Sequence, residues 1–189
     1  MRAHDLLSIR GSLRIAHIPH ECMGADPCAG LPPDVVDALV RAGKCHVSCI
    51  HENLVVDTGL EIIRAMLGSG LGFPTTGAFG VQAQADLLVS SMKFGSALAP
   101  AAPANGDTDI SVTPIYSTTA VSVFYPTASS ITIVGVIPQA QTALDGVGIS
   151  EEGMFVSNGA MLARVTFSPE VKLPTHALQF EHTLVLNRP

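Results

Sequence analysis

The sequence predicts an all-β fold: an antiparallel β-sandwich, jelly-roll-like, with one short amphipathic helix at about 58–67 and a small helical insertion at about 33–42. Three observations carry that prediction. Seven or eight short stretches are rich in β-branched residues or alternate apolar with polar, and turn-forming residues separate them. One stretch, Gly148 to Phe167, reads as a complete hairpin, with Ser157-Asn158-Gly159 between two apolar runs. The composition is 47% apolar but only 14% charged, with 17 Gly, 13 Pro and no Trp. That suits a turn-rich β protein, and equally a subunit that hides much of its surface in an assembly.

Leu6 to Ile18 alternates Ile9, Leu13 and Ile15 against Arg10 and Arg14, a strand expected to kink or bulge near Gly11. The segment 19–43 follows. It begins as a loop of Pro, Gly, Cys and Asp, and Pro33 then opens a short helix that Gly43 ends. Cys45 to Val56 is the second strand. Thr58-x-x-Glu61 is a capping box before a helix with Leu60, Ile63 and Leu67 on one face, and residues 68–86 are a long loop. Leu87 to Phe94 is a strand, and Pro100 and Pro103 stiffen the loop 97–107. Ser117 to Tyr125 and Ser130 to Pro138 are strands with a turn around Pro126. In the hairpin, Leu162, Arg164 and Thr166 face away from Met161, Ala163, Val165 and Phe167, so one face is expected to be buried and the other partly wet. Ala177 to Asn187 closes the sheet. One domain is expected over 1–189.

Three segments also carry a resemblance. They are the hairpin run Ile149-Ser150-Glu151 through Leu162-Ala163-Arg164 to Phe167, the Asn53-Leu54-Val55-Val56 lead into the capping box, and Phe94-Gly95-Ser96 through Ala102-Pro103-Ala104-Asn105-Gly106-Asp107-Thr108. In their order along the chain they resemble a family of small tailed-bacteriophage virion proteins from tail, fibre-attachment or baseplate regions. The resemblance implies a structural role with no catalytic residues. It also makes residues 19–43 an insertion particular to this chain.

The residues that could carry chemistry cluster near the start: His17, His20, Cys22, Cys28, Cys45, His46, Cys49 and His51. Thiolates and neutral imidazoles are the ligands zinc prefers, which makes Cys22, Cys28, Cys45 and Cys49 the zinc candidates. No Cys-x-x-Cys pair occurs, however, and the gaps match no common zinc framework. A structural zinc, a disulfide formed after cell lysis and free thiols all remain open, with free thiols favoured and no cofactor expected. Cys45 and Cys49, four apart on a strand, are expected to share a face, and Glu21 or Glu52 would supply the acid of a zinc enzyme. Gly68-Ser69-Gly70-Leu71-Gly72 lacks the lysine of a phosphate loop. Asn105, Asp107 and Asp109 lack the spacing of a calcium loop and read as a turn. No Gly-x-Ser-x-Gly occurs, and Glu151 and Glu152, adjacent on a strand, face opposite sides. His182 reads as a core or interface residue.

The expected function is therefore non-enzymatic. The chain would be a tailed-phage virion component at a tail, fibre-attachment or baseplate site, made in the host cytoplasm and acting by self-association, as a trimer, and by docking to other virion proteins. A capsid decoration protein is the alternative, and a receptor- or carbohydrate-binding module a further one. The net charge of −6 with no basic cluster argues against nucleic acid. No apolar run of membrane-spanning length occurs, and no small-molecule substrate is expected. The segments 19–43, 68–86 and 97–107 are the expected contact surfaces.

Overall fold

Nine strands and one α-helix, joined by short 3-10 turns, make up the described part of the chain, residues 8–55 and 88–187 of a computed structural model. The strands are β1 (Ser8–Pro19), β2 (His46–Val55), β3 (Val89–Gly95), β4 (Pro114–Thr118), β5 (Val121–Thr127), β6 (Ser130–Ile137), β7 (Gly148–Val156), β8 (Met161–Val171) and β9 (His176–Asn187). The helix α1 spans Pro33–Arg41. This is the all-β antiparallel class expected, with little helix and two sheets. The expected helix at 58–67 and loop at 68–86 lie outside the described residues.

The chain divides into two compact units. The first comprises Met1–Asn53, Ala120–Gly148 and Glu170–Pro189. Its strands run in the order β2-β1-β9-β6-β5. β1 and β9 pair without interruption from Ser8↔Asn187 to Pro19↔His176. The bulge expected near Gly11 is therefore absent. The irregularity lies four residues on, against β2: Ile15 pairs with Cys49 and Ala16 with Val47, which leaves Ser48 over. The Ser48 hydroxyl donates to the Ile15 carbonyl at 3.4 Å. An extra residue in one strand breaks its alternation, so the regular phase expected from Cys45 to Cys49 is not kept.

One face of this sheet carries Ala16, Ile18, Val134, Val136 and Ala177, all buried. The insertion covers it. Val36 and half-buried Cys22, Met23, Leu31, Leu39, Cys45 and Val47 pack on Ala16 and Ile18, while Met23 also reaches Val134, Val136 and Ala177. Pro33 holds the first helical position, where its missing N–H costs nothing. Gly43 N–H donates to Val40 O and Lys44 N–H to Leu39 O, the paired bonds of a Schellman stop. The insertion is thus part of the core, its inner side spent on its own sheet.

The second unit comprises Leu54–Thr119 and Ile149–Pro169. Its strands run β4-β3-β7-β8, and Leu54 and Val55 at the end of β2 pair with Arg164 and Ala163. The stretch 117–125, expected as one strand, is two. β4 pairs with β3 in this unit and β5 with β6 in the other, with the break at Thr119-Ala120. β-propensity is continuous across the break and gave no warning of it. Pro126 lies within β5 at a register shift and not in the turn, which falls at Ala128-Ser129. β5 is an end strand among the described residues, where a proline leaves no ladder bond unmade.

The hairpin forms as expected. Gly159 N–H donates to Val156 O at 2.8 Å, and Val156 N–H to Ala160 O at 3.0 Å. Asn158 keeps negative φ and accepts from Ala160 N–H at 2.9 Å, so only Gly159, at φ 85°, takes the left-handed conformation. The wet face is the part that fails. Residues 161–165 are all buried, with Arg164 only 2% exposed. A charged residue at alternate positions reads as solvent-facing, but this one is turned into an ion network. Gly159→Val should lower stability by about 1–3 kcal/mol, because a β-branched residue resists positive φ. Urea unfolding checks it, and an unchanged midpoint would remove the turn assignment.

Candidate functional site

Of the histidines and cysteines singled out in the sequence, His17 and His46 lie on one face of the first sheet, and Cys22 and Cys45 pack against the other. Adjacent strand residues point to opposite sides, so His46 goes one way while Cys45 and Val47 go the other. His17 and His46 are direct cross-strand partners, with ring centroids 6.0 Å apart. His17 Nε2–H donates to Glu170 Oε2 at 3.2 Å. His176, two residues along β9 from the Leu178 that pairs with His17, completes this group, its Nδ1 bonded to Thr175 Oγ1 at 2.9 Å. Burial holds the His17 imidazolium down, below the ordinary histidine value, and nearby His46 and His176 add to it against the pull of Glu170. Sequence reasoning missed Glu170 and His176, because they are distant in the chain and carry no motif.

The thiols lie elsewhere. Cys22 and Cys45 are half-buried against Ala16, Ile18 and Val36, and the backbone N–H of Cys28 donates to Asp26 Oδ1 at 2.9 Å. Burial, then the Glu181 carboxylate, pushes the Cys45 thiol up to about 11. Cys22, Cys28 and Cys45 are free thiols. The side chains of Cys49, His51 and Glu52 lie outside the described residues. Among the described residues no three His, Cys, Asp or Glu side chains are placed to hold a metal ion together. His20 and Glu21 stand exposed in the 3-10 turn after β1.

On the covered face, two polar residues of β9 organise the insertion. The Gln179 carboxamide accepts from Leu31 N–H at 2.7 Å and donates to Leu31 O at 2.8 Å and to Glu181 Oε1 at 3.0 Å. It treats Leu31 as a strand neighbour would. Gly30, at φ 72°, makes the approach possible, since a Cβ there would stand 2.6 Å from Val134 Cγ1. Glu181 Oε2 accepts from Arg14 Nε at 2.9 Å, and Arg14 reaches on to Asp37 and to Pro33 O on the helix. Burial raises the Glu181 carboxyl above its ordinary range although Arg14 draws it down.

The second unit repeats the device. Arg164 Nε donates to Glu151 Oε1 at 2.5 Å, and its terminal nitrogens to Asp107 and to Ala101 O at 2.6 Å. Glu151 also accepts from Ser111 N–H at 2.7 Å and Ser111 Oγ at 2.9 Å. These bonds stitch the loop after β3 to the sheet. Asp107 accepts from Ala104 N–H, and Asp107 N–H donates to Ala104 O, so the residues read as a turn do form one. Asp107 stays below the ordinary carboxyl range: burial works against that, and the Ala104 N–H and Arg164 outweigh it.

The arrangement is one of charge pairs that fix backbone. Among the described residues the hydrogen bonds of His17 reach a carboxylate and no hydroxyl or thiol, so no nucleophile is held against this imidazole. No family model matches the sequence, and no curated protein or solved structure is significantly similar to it.

Arg164→Met should destabilise by about 3–5 kcal/mol, since it leaves the Glu151 carboxylate buried without its cation. Adding Glu151→Leu should restore part of that loss, and urea unfolding of the double-mutant cycle reads both. For His17 the sign is fixed by its lowered value. As pH falls below 6.5 the unfolded chain takes up a proton before the folded one does, so stability declines with acid until the folded group also protonates. His17→Gln keeps a donor to Glu170 without the titration and should flatten this limb of a stability–pH curve; an unaltered slope would assign the acid sensitivity elsewhere.

Proposed function

We propose that the chain is a structural protein of a tailed-phage virion, at a tail, fibre-attachment or baseplate site, acting by self-association and docking and without catalysis. It would be made in the host cytoplasm and end in the particle. The three ordered segments that resemble such proteins and the sparse charge support this reading. The observation that carries it is what each unit leaves exposed. In the second unit, Leu98 at the loop tip is 99% exposed, and Ile115 stands out on β4, an end strand among the described residues. In the first, Val123 and Tyr125 stand out on the end strand β5, with Tyr125 73% exposed. End strands that carry apolar side chains are covered in assemblies, and copies of one chain are the commonest cover.

The inner side of the insertion is committed to its own sheet, so its part in this reading falls to its outer side, where Val35 and Val40 are exposed. Among the described residues the other contact surfaces are the loop carrying Leu98 and the end strands. Among the described residues no helix is long and apolar enough to cross a membrane.

Native mass spectrometry of the purified chain tests the proposal. A closed oligomer, expected as a trimer, that Val123→Glu/Tyr125→Lys dissociates with the circular dichroism unchanged is the predicted result. A monomer at micromolar concentration would contradict self-association. A glycan-array signal abolished by Tyr125→Ala would transfer the function to carbohydrate binding.

A further inference from the structure

The insertion leaves the first sheet after Pro19 and returns to it at His46, at the same end of two adjacent strands. Cys22 lies in the turn just after β1, and Cys45 immediately before β2. The two cysteines therefore stand at the two ends of the insertion, and both side chains rest on the same buried cluster, Ala16, Ile18 and Val36. We infer that Cys22 and Cys45 form a redox-closable pair, which a small-molecule disulfide converts to a cystine that staples the insertion to the sheet.

The exchange balances with such a disulfide as oxidant. The Cys22 thiolate attacks one of its sulfurs, which forms a mixed disulfide and releases one small thiolate. The Cys45 thiolate then attacks the Cys22 sulfur, and the cystine forms as the second small thiolate leaves. The protons given up by the two cysteines pass to the two released thiols. Proximity favours this pairing, since Cys22 is among the groups that hold the Cys45 thiol in its protonated form. Burial is the largest cause of that hold, and with the thiol at about 11 the closing attack is slow at neutral pH. Its rate should rise about tenfold per pH unit below that value. Cys28, inside the insertion, packs on neither strand's share of this cluster. A closed ring from 22 to 45 would remove unfolded-state freedom from the segment that covers the sheet face.

The test uses the full chain. It is incubated with oxidised glutathione at pH 8.5, quenched with N-ethylmaleimide, and digested without reduction by trypsin and a protease specific for Glu and Asp. Tandem mass spectrometry should find one cystine, between Cys22 and Cys45, with the other two cysteines alkylated. A Cys28→Ser/Cys49→Ser variant should lose both remaining thiols to the same treatment, and dithiothreitol should return them. A link through Cys28 or Cys49, or four alkylated cysteines in the oxidised wild type, would overturn the inference.

Discussion

A carboxylate in the middle of a sheet face cannot be left alone, and the first unit is arranged around that constraint. Glu181 sits on β9, third of the five strands, and is 2% exposed. Removing such a group from water costs several kcal/mol unless a cation and further hydrogen bonds replace its hydration. Arg14, its direct partner on β1, supplies the cation. The guanidinium has more donors than one carboxylate can use, and the rest reach Asp37 and the Pro33 carbonyl. Those bonds bring α1 onto the sheet. Gln179, two residues along the same face, fixes the segment before the helix through both backbone groups of Leu31. The apolar contacts of Val36 and Met23 complete the seal, and by excluding water they make the polar bonds obligatory.

The second unit solves a different problem by the same means. Its loop after β3 is rich in alanine and proline and offers few side chains to anchor it. The bonds instead run from the sheet to its backbone, from Arg164 to the Ala101 carbonyl and from Glu151 to the Ser111 amide. This loop is ordered by two buried charges on neighbouring strands, while Leu98 is left in solvent. A fixed loop that presents one large apolar residue is suited to docking, since ordering it on contact would cost little further entropy.

Strand existence was legible because the alternating and β-branched runs act locally. The hairpin turn and the helix from Pro33 to its Gly43 stop were legible for the same reason: φ preferences belong to single residues. What failed depended on neighbours distant in the chain. The break at Thr119-Ala120 separates strands whose partners, β3 and β6, were not readable from either stretch. The bulge at Ser48 exists only against β1. The face of β8 that carries Arg164 looked wet because Arg164 is charged, and only the loop that covers it could show otherwise. The His/Cys group was legible as a concentration but not as a site, since strand alternation sent its members to opposite faces and brought in Glu170 and His176.

The claim that the insertion is core is tested most directly at a single amide. Leu31 lies in a loop, and its N–H donates to a side chain, Gln179 Oε1 at 2.7 Å. Hydrogen exchange followed by NMR should show this amide protected to nearly the level of the Phe180 amide on β9, and Gln179→Leu should release it. Exchange of Leu31 in the wild type at the rate of an open loop would mean that the insertion is not held on the sheet, and the account built on Glu181 and Gln179 would fall with it.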